Sequence, residues 1–243
     1  MSQPRSPEHA EGNLETHLLA QLDQSKDFFW HRLRWAAVKP WLPRDSGDLL
    51  DVGAGAGLLG EYLRSDRADL RYCFVEPLAS LRAALAQRHG AEADWSDRDD
   101  WAGASVLTLL DVLEHQVDEQ EFLSTLARRM RPGARLIVTV PALQALWSDW
   151  DVKLGHVRRY DRVGLARAVA GHGWQLRELS YLFPEMLAPA VVRALRNPRA
   201  SGAEFPVLPR PVNAALTALG TLSIRARRFA PLGTSLLCVL DKP

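Results

Sequence analysis

Apolar positions along the chain form strand-like and helix-like segments that alternate. Stretches rich in apolar residues at 48–52, 70–75 and 105–110 predict strands, and helical spacing at residues 58–64 and 119–130 predicts helices between them. Short connections between such elements imply right-handed crossovers. The pattern therefore predicts a parallel sheet that is covered by helices on both faces.

The same spacing rules extend this prediction to the rest of the chain. The remaining predicted elements are helices at residues 79–89 and 162–171 and strands at residues 91–94, 135–140, 175–182 and 235–240. The strand at 91–94 has the weakest pattern. Together these elements form a seven-stranded α/β domain.

The chain divides into five predicted regions. They are a polar, disordered lead at residues 1–13, a helical preface at 14–44, a core at 45–182, a helical cap inserted at 183–232 and the last core strand at 233–243. The lead has no apolar segment of the kind found in signal peptides. Repeated prolines and two amphipathic stretches, at residues 185–195 and 212–229, mark the cap.

Composition narrows the class of protein. The 243 residues are 47% hydrophobic and carry a net charge of +1, so no overall field favours DNA or another nucleic acid. Cys73 and Cys238 fall in predicted strands, where buried free thiols suit a reducing cytoplasm. No apolar run reaches the roughly 20 residues of a membrane span. We expect a cytoplasmic protein, and contact with the inner face of the membrane stays open.

A glycine-rich turn follows the first strand. Gly53, Gly55 and Gly57 allow a sharp turn and a close approach of backbone N–H groups to a ligand. With Gly60 the turn also fits a dinucleotide-binding pattern. Asp51 favours S-adenosylmethionine (SAM) over a dinucleotide as the ligand of this turn. A carboxylate repels the pyrophosphate of a dinucleotide but attracts the ammonium and sulfonium groups of SAM.

Two further acids follow later strands. Glu76 comes after the second strand, where a carboxylate can accept both ribose hydroxyl protons. Asp94 comes after the weak strand and is expected to bind the adenine amino group, with Trp95 against the ring. The alternative is that Asp51, Glu76 and Asp94 are a turn cap, a solvated strand end and a loop residue.

The motifs at residues 51–57, 75–77 and 110–115 resemble the successive motifs of class I SAM-dependent methyltransferases. The resemblance covers residues 30–182 and the final strand. It implies a Rossmann-like, mostly parallel seven-stranded sheet of order 3-2-1-4-5-7-6 with the last strand antiparallel. It also implies SAM as donor and S-adenosylhomocysteine as product. The sequence departs from the family at the third strand and its motif.

The resemblance assigns a set of cofactor contacts, including a preface helix that covers SAM. The predicted cofactor residues are Trp30, Asp51, Gly53, Ala54, Gly55, Gly57, Glu76, Pro77, Asp94, Trp95 and Asp111. Arg34 of the preface is a further candidate for covering the cofactor.

Acidic and histidine residues follow the strand at 105–110. Asp111, Glu114 and His115, together with the distant His156, resemble the metal site of small-RNA 2′-O-methyltransferases and, in part, of ubiquinone-pathway O-methyltransferases. A divalent cation held there would lower the pKa of an acceptor hydroxyl. In the favoured alternative no metal binds, Asp111 lines the cofactor site, Glu114 orients His115, and His115 or His156 is the general base.

The segment after the next strand is rich in aromatic and basic residues. Its predicted acceptor contacts are Trp147, Arg158, Arg159 and Tyr160. The alternative is that the arginines are solvated or pair with Asp149 or Asp151.

The predicted cap is basic. Its arginines are Arg193, Arg196, Arg199, Arg210, Arg225, Arg227 and Arg228. These arginines are expected to bind anionic lipid or a lipid-linked acceptor. The alternative is that the cap helix packs its apolar side on the sheet and its arginines are solvated.

The predicted function is methyl transfer from SAM to a hydroxyl oxygen of a small-molecule or lipid-linked acceptor. One alternative is an RNA 2′-O-methyltransferase with a metal site, for which the balanced charge gives no support. Another is a SAM-binding protein without catalytic activity. Calorimetry with SAM and identification of the methylated product separate the three.

Overall fold

A computed structural model describes residues 26–195 and 208–243, together with residues 15, 18, 19 and 22. The strands are β1 (Gly47–Val52), β2 (Leu70–Val75), β3 (Ala104–Leu110), β4 (Arg135–Pro141), β5 (Gln175–Leu182) and β6 (Ser235–Asp241). The helices are α1 (Phe29–Val38), α2 (Leu58–Asp66), α3 (Ala79–His89), α4 (Glu119–Arg129), α5 (Asp149–Lys153), α6 (Arg162–Val169), α7 (Leu187–Leu195) and α8 (Arg210–Arg225). The predicted lead at 1–13 and the cap arginines Arg196 and Arg199 lie outside the described residues.

The strands form one mixed sheet of order β2-β1-β3-β4-β6-β5. Pairs between β1, β2, β3 and β4 are parallel, and β6 is antiparallel to both of its neighbours. This is the predicted order with the third strand removed. The Rossmann-like architecture and the antiparallel last strand therefore agree with the prediction, and the predicted strand count of seven does not.

The predicted strand at residues 91–94 is a 3₁₀ turn over Ala91–Ala93 in the structure. Only an isolated bridge between Phe74 and Asp94 remains of its pairing with β2. Gly90 precedes the turn at a φ of +95°, and the run at residues 91–94 consists of alanine and acidic residues, which are depleted in strands. The described sheet therefore has six strands.

The core lies on both faces of the sheet. Apolar side chains of β3 and β4 alternate, so that Leu107 faces α4 and α6 while Val106 faces α1 and α2. Cys73 and Cys238 are buried free thiols, as predicted, and burial raises the pKa of Cys73 to about 11. Both faces are closed, which leaves the carboxyl edge of the parallel strands for chemistry.

The preface and the cap meet on one face of the sheet. Asn213 of α8 accepts a hydrogen bond from the backbone N–H of Phe29 at 2.8 Å, and Gly220 allows α8 to approach Leu33 of α1. The two predicted cap stretches correspond to α7 and to α8 with the short turn Arg227–Phe229. No helix among the described residues has the length and apolar character to span a membrane.

Candidate active site

The carboxyl ends of three neighbouring parallel strands carry acidic residues. Asp51 lies near the end of β1, Glu76 follows β2 and Asp111 follows β3. Because β1 pairs with both β2 and β3, these side chains gather at one edge of the sheet. In open α/β sheets this edge is where ligands bind.

The glycine loop between β1 and α2 needs glycine for its conformation and for space. Gly53, Gly55 and Gly57 have φ values of +73°, +54° and +68°. A Cβ atom at Gly53 would lie 2.7 Å from Val112, and one at Gly57 would lie 2.3 Å from Leu85. The loop is therefore a bare backbone cradle at the edge of the sheet.

Asp51 is buried beside this cradle with two hydrogen bonds to its carboxylate. Thr108 donates at 2.7 Å and Tyr72 donates at 3.1 Å. Burial raises the pKa of Asp51 to about 6, and the two hydrogen bonds limit that rise. A carboxylate with this pKa is ionised at neutral pH and sensitive to mild acid.

Glu76 fastens the glycine loop. Its carboxylate accepts hydrogen bonds from the backbone N–H of Gly55 at 2.7 Å and of Leu78 at 2.9 Å. Burial raises the pKa of Glu76, and these two backbone hydrogen bonds counteract part of the rise. Pro77 is exposed, and Ala54 donates its backbone N–H to Val75 at 3.2 Å.

The predicted adenine contacts are engaged by the protein itself. Asp94 binds Arg82 and accepts the backbone N–H of Ser96, and these contacts lower its pKa although burial opposes the shift. Trp95 is buried in the core, with the Arg98 guanidinium 4.3 Å from its ring centre. The ring of Trp95 is thus not open for stacking in this structure.

Helix α1 reaches the edge of the sheet through Arg34, whose guanidinium binds the Asp111 carboxylate. Thr139 donates a second hydrogen bond to Asp111 at 3.0 Å, and Asp111 has a φ of +60°, which is strained for a residue with a side chain. Trp30 packs against Phe183 with ring centres 4.4 Å apart. The preface helix therefore lies against this edge, and its contact with SAM stays a prediction.

A second polar cluster lies after β3. One ligand atom each from Glu114, His115 and His156 can be chosen so that all lie within 4.8 Å of one another. The two imidazole rings meet edge to face with centres 4.9 Å apart. Asp111 is not in this group, because its carboxylate pairs with Arg34 instead. The four-residue set expected from sequence is a set of three in the structure.

Glu114 and His115 experience the same low-polarity surroundings. Both carboxylate oxygens of Glu114 are buried without a hydrogen bond from the described residues. Burial, and then the charge of Asp111, raises the pKa of Glu114 well above its ordinary value. Burial, and then His156, lowers the pKa of His115 to about 4. Burial therefore disfavours the charged form of both groups.

His156 is held by a buried carboxylate, Asp151, which is not among the predicted site residues. Asp151 lies 2.9 Å from His156 Nδ1 and 2.7 Å from Arg159 Nε. Those hydrogen bonds lower the pKa of Asp151 even though its burial opposes the shift. The sequence signal was a capping box, since Ser148 and Asp151 begin the short helix α5.

Most of the residues predicted to contact the acceptor form ion pairs or hydrogen bonds with other residues of this chain. Arg158 contacts Glu119 at 2.7 Å, and Tyr160 donates to the same carboxylate at 2.6 Å. Arg159 pairs with Asp151, which agrees with the alternative that the arginines bind nearby acids. Arg159 also donates a hydrogen bond to the carbonyl of Ala142 at 3.0 Å. These contacts fix the loop after β4. Trp147 is half-buried there.

A family model described as a methyltransferase domain matches residues 24–179. This chain belongs to that methyltransferase family. The resemblance to class I SAM-dependent methyltransferases is confirmed, and SAM is supported as the cofactor. The glycine cradle and the buried Asp51 fit such a donor.

Known proteins similar to this methyltransferase include one curated relative. Ribosomal RNA small subunit methyltransferase G of Beutenbergia cavernae is 36% identical over 112 residues, which are 46% of this chain and 45% of that protein. The aligned segment therefore spans less than half of the relative.

Two solved structures share the fold. A chain from the complex of the Haloferax volcanii Trm112 methyltransferase activator with a methyltransferase has a TM-score of 0.58 at 15% identity, covering 93% of this chain and 97% of that one. Phosphoethanolamine N-methyltransferase 2 of Haemonchus contortus, bound to SAM, has a TM-score of 0.58 at 15% identity, covering 93% of this chain and 60% of that one. At these identities the likeness concerns the fold.

Proposed function

We propose that this methyltransferase transfers the methyl group of SAM to a hydroxyl oxygen of a small-molecule or lipid-linked acceptor. The contact of Asp151 with His156, beside the edge that carries Asp51 and Asp111, is the observation that carries the proposal. When bound, SAM supplies an electrophilic methyl group. A hydroxyl is a weak nucleophile, so it gains much from a base that removes its proton.

On the donor side, we assign Asp51 to the ammonium group of SAM and the backbone of residues 53–57 to its amino-acid part. We assign Glu76 to the ribose hydroxyls, because each of its carboxylate oxygens accepts one backbone hydrogen bond and keeps further capacity as an acceptor. Trp30 and Asp111 border this side. Asp94 and Trp95 have no role in the proposal, since both are engaged elsewhere.

On the acceptor side, we assign the general base to His156. An ionised Asp151 can only accept, so Nδ1 of His156 carries the hydrogen that it donates, and Nε2 keeps a lone pair for the proton of the acceptor. Arg159 holds Asp151 in place from the other side. His115 lies next to His156, so it is placed to contact the acceptor as well.

The alternative for this cluster is a divalent cation. Glu114, His115 and His156 would hold it, and the cation would lower the pKa of the acceptor hydroxyl. The unbonded oxygens of Glu114 fit that use. Binding requires Glu114 to be ionised, however, and burial favours its neutral form, so we favour proton transfer to His156.

The test uses SAM with a labelled methyl group and bacterial extracts separated into lipid, small-molecule and nucleic-acid fractions. We expect label in the lipid or small-molecule fraction. His156→Ala should lower the rate about 10²–10⁴-fold, the range for loss of a general base, while calorimetry gives an unchanged SAM affinity. Unchanged labelling by the variant, or loss of activity with a chelator, would contradict the assignment of the base.

RNA is a second candidate acceptor because of the similarity to the ribosomal RNA methyltransferase, although that similarity covers less than half of either protein. Label that becomes soluble after ribonuclease treatment, together with RNA binding that weakens steeply with salt, would favour RNA. The net charge of +1 gives no general support for such binding.

A further inference from the structure

The outward side of the cap helix α8 is apolar. Between Arg210 and Arg225 the exposed residues are Pro211, Val212, Ala214, Ala215, Ala218, Leu219 and Leu222. Leu219 is 52% exposed and Leu222 is 65% exposed. A surface helix normally presents polar residues to water, so this apolar face indicates an interaction surface.

The opposite side of α8 already serves the core. Gly220 and Ile224 are buried, and Asn213 binds the start of α1. The exposed leucines are therefore not the ordinary core-facing positions of this helix. The apolar outward side is an additional feature of α8.

Neighbouring segments extend the apolar character. Phe229, in the turn after α8, is 89% exposed, and Leu232 is 45% exposed. Helix α7 has no buried residue among those described, and its Leu195 is 82% exposed. An aromatic ring and aliphatic side chains beside arginines are typical of helices that lie in a membrane interface.

The charges around α8 favour an anionic partner. The sequence from residue 205 to residue 233 contains no Asp or Glu. Arg210 and Arg225 are exposed at the two ends of the helix. Arg227 and Arg228 both pair with Glu178, at 3.2 Å and 3.5 Å, but the Arg227 side chain is 13% exposed whereas the Arg228 side chain is 71% exposed and stays open to an anionic surface. A second copy of this chain would bring like charges together, whereas an anionic bilayer neutralises them.

We propose that the outward side of α8, together with Phe229, binds the interface of an anionic lipid bilayer. The helix lies parallel to the membrane, with Leu219, Leu222 and Phe229 among the acyl chains and the arginines at the headgroups. Helix α8 packs on α1, whose Arg34 reaches Asp111, so the proposed membrane contact lies on the sheet face that carries α1. The proposal does not depend on which acceptor is methylated.

Vesicle sedimentation tests the proposal on the full chain. We expect binding to vesicles of phosphatidylcholine mixed with phosphatidylglycerol and much weaker binding to phosphatidylcholine alone. The double variant Leu219→Glu with Leu222→Glu should weaken binding at least about tenfold. Arg225→Gln and Arg228→Gln should each weaken it roughly fivefold, the effect of one cation at an anionic surface.

The control is Val163→Glu, which changes a residue of α6 that is 56% exposed. It should bind the mixed vesicles like the wild type. Melting curves and SAM affinity verify that all variants are folded. Equal binding by the double variant and the wild type would overturn the proposal. A wild-type dimer that the double variant converts to monomers, without vesicle binding by either, would identify the face as a protein interface.

Discussion

The donor side and the acceptor side of the site both contain buried carboxylates, but they use them differently. On the donor side, Asp51 accepts two hydrogen bonds and has a pKa of about 6. On the acceptor side, Asp151 accepts from His156, Arg159 and the backbone of Ser148, and its pKa is lowered. Glu114, nearby, accepts none from the described residues, and its pKa is raised well above the ordinary value.

These three acids show that burial alone does not determine charge. Each is almost completely excluded from water. The number and charge of the donors decide how far the pKa of each carboxyl group is raised or lowered. Asp151 is thus a charge that orients a histidine, Asp51 is a charge suited to a cationic ligand, and burial favours the neutral form of Glu114.

The largest effect should come from Asp151→Asn. The change leaves Arg159 largely buried without its counter-charge and removes the acceptor that fixes His156, so we expect a loss of about 3–5 kcal/mol in the free energy of unfolding. Urea unfolding measures it. Because the folded-state pKa of Asp151 is lowered, its contribution is present above the unfolded value near 4 and disappears as pH falls through the folded value.

The matched control is Asp149→Asn in the same short helix, for which we expect a change within about 0.5 kcal/mol. Equal losses for the two variants would show that Asp151 does not hold a buried network.

Sequence patterns predict the parts of the donor side because these parts are close together along the chain. A buried strand, an acid and a glycine turn are adjacent along the chain, and Glu76 follows the next strand. The prediction that failed in this half is the strand at 91–94, which would lie at a sheet edge. Its four residues are alanines and acids with low strand propensity, and only one bridge to Phe74 is formed. Whether the adenine contact exists stays a prediction.

The acceptor side depends on contacts between distant parts of the chain. Asp151 and Arg159 were visible only as an acid and a base in a polar loop, and their pairing with each other and with His156 is set by the turn after α5. Tyr160 and Arg158 meet Glu119, about 40 residues earlier, for the same reason. Residue type and spacing gave candidates here, and the fold decides their partners.

An intermediate effect is expected for Asp51→Asn. If Asp51 binds the SAM ammonium as proposed, loss of its charge should weaken SAM binding about tenfold at neutral pH, measured by calorimetry. In the wild type, the affinity should also fall as pH drops through about 6, because Asp51 becomes protonated and loses its attraction. The variant should lack that pH dependence.

Asp48→Asn is the control for Asp51, because Asp48 lies in the same strand and pairs with Arg71 at the surface. It should leave SAM affinity within about twofold, as expected for a screened surface pair away from the ligand. The raised pKa of Asp51 also implies that the folded protein without SAM loses stability as pH rises from about 4 to about 6, since the unfolded chain releases this proton first. An affinity for SAM that does not change with pH would argue against a charge at Asp51.

The smallest effect should come from Glu114→Gln. If the buried carboxyl is neutral, an amide of the same shape should change the free energy of unfolding at pH 5 by less than about 1 kcal/mol. The wild type should lose stability relative to the variant as pH rises above about 4.3, because Glu114 ionises in the unfolded chain while its raised pKa keeps it protonated in the fold.

Glu119→Gln is the control for Glu114, because its carboxylate binds Arg158 and Tyr160 and should be needed in its ionised form. The stability of this control should fall, whereas that of Glu114→Gln should not. If Glu114→Gln were instead strongly destabilised, and if the wild type gained stability with added Mn²⁺ or Zn²⁺ while the variant did not, Glu114 would be an ionised metal ligand. Asp51 and Glu114 would then both be ionised side chains that bind a cationic ligand, and the two sides of the site would differ in the ligand that each binds.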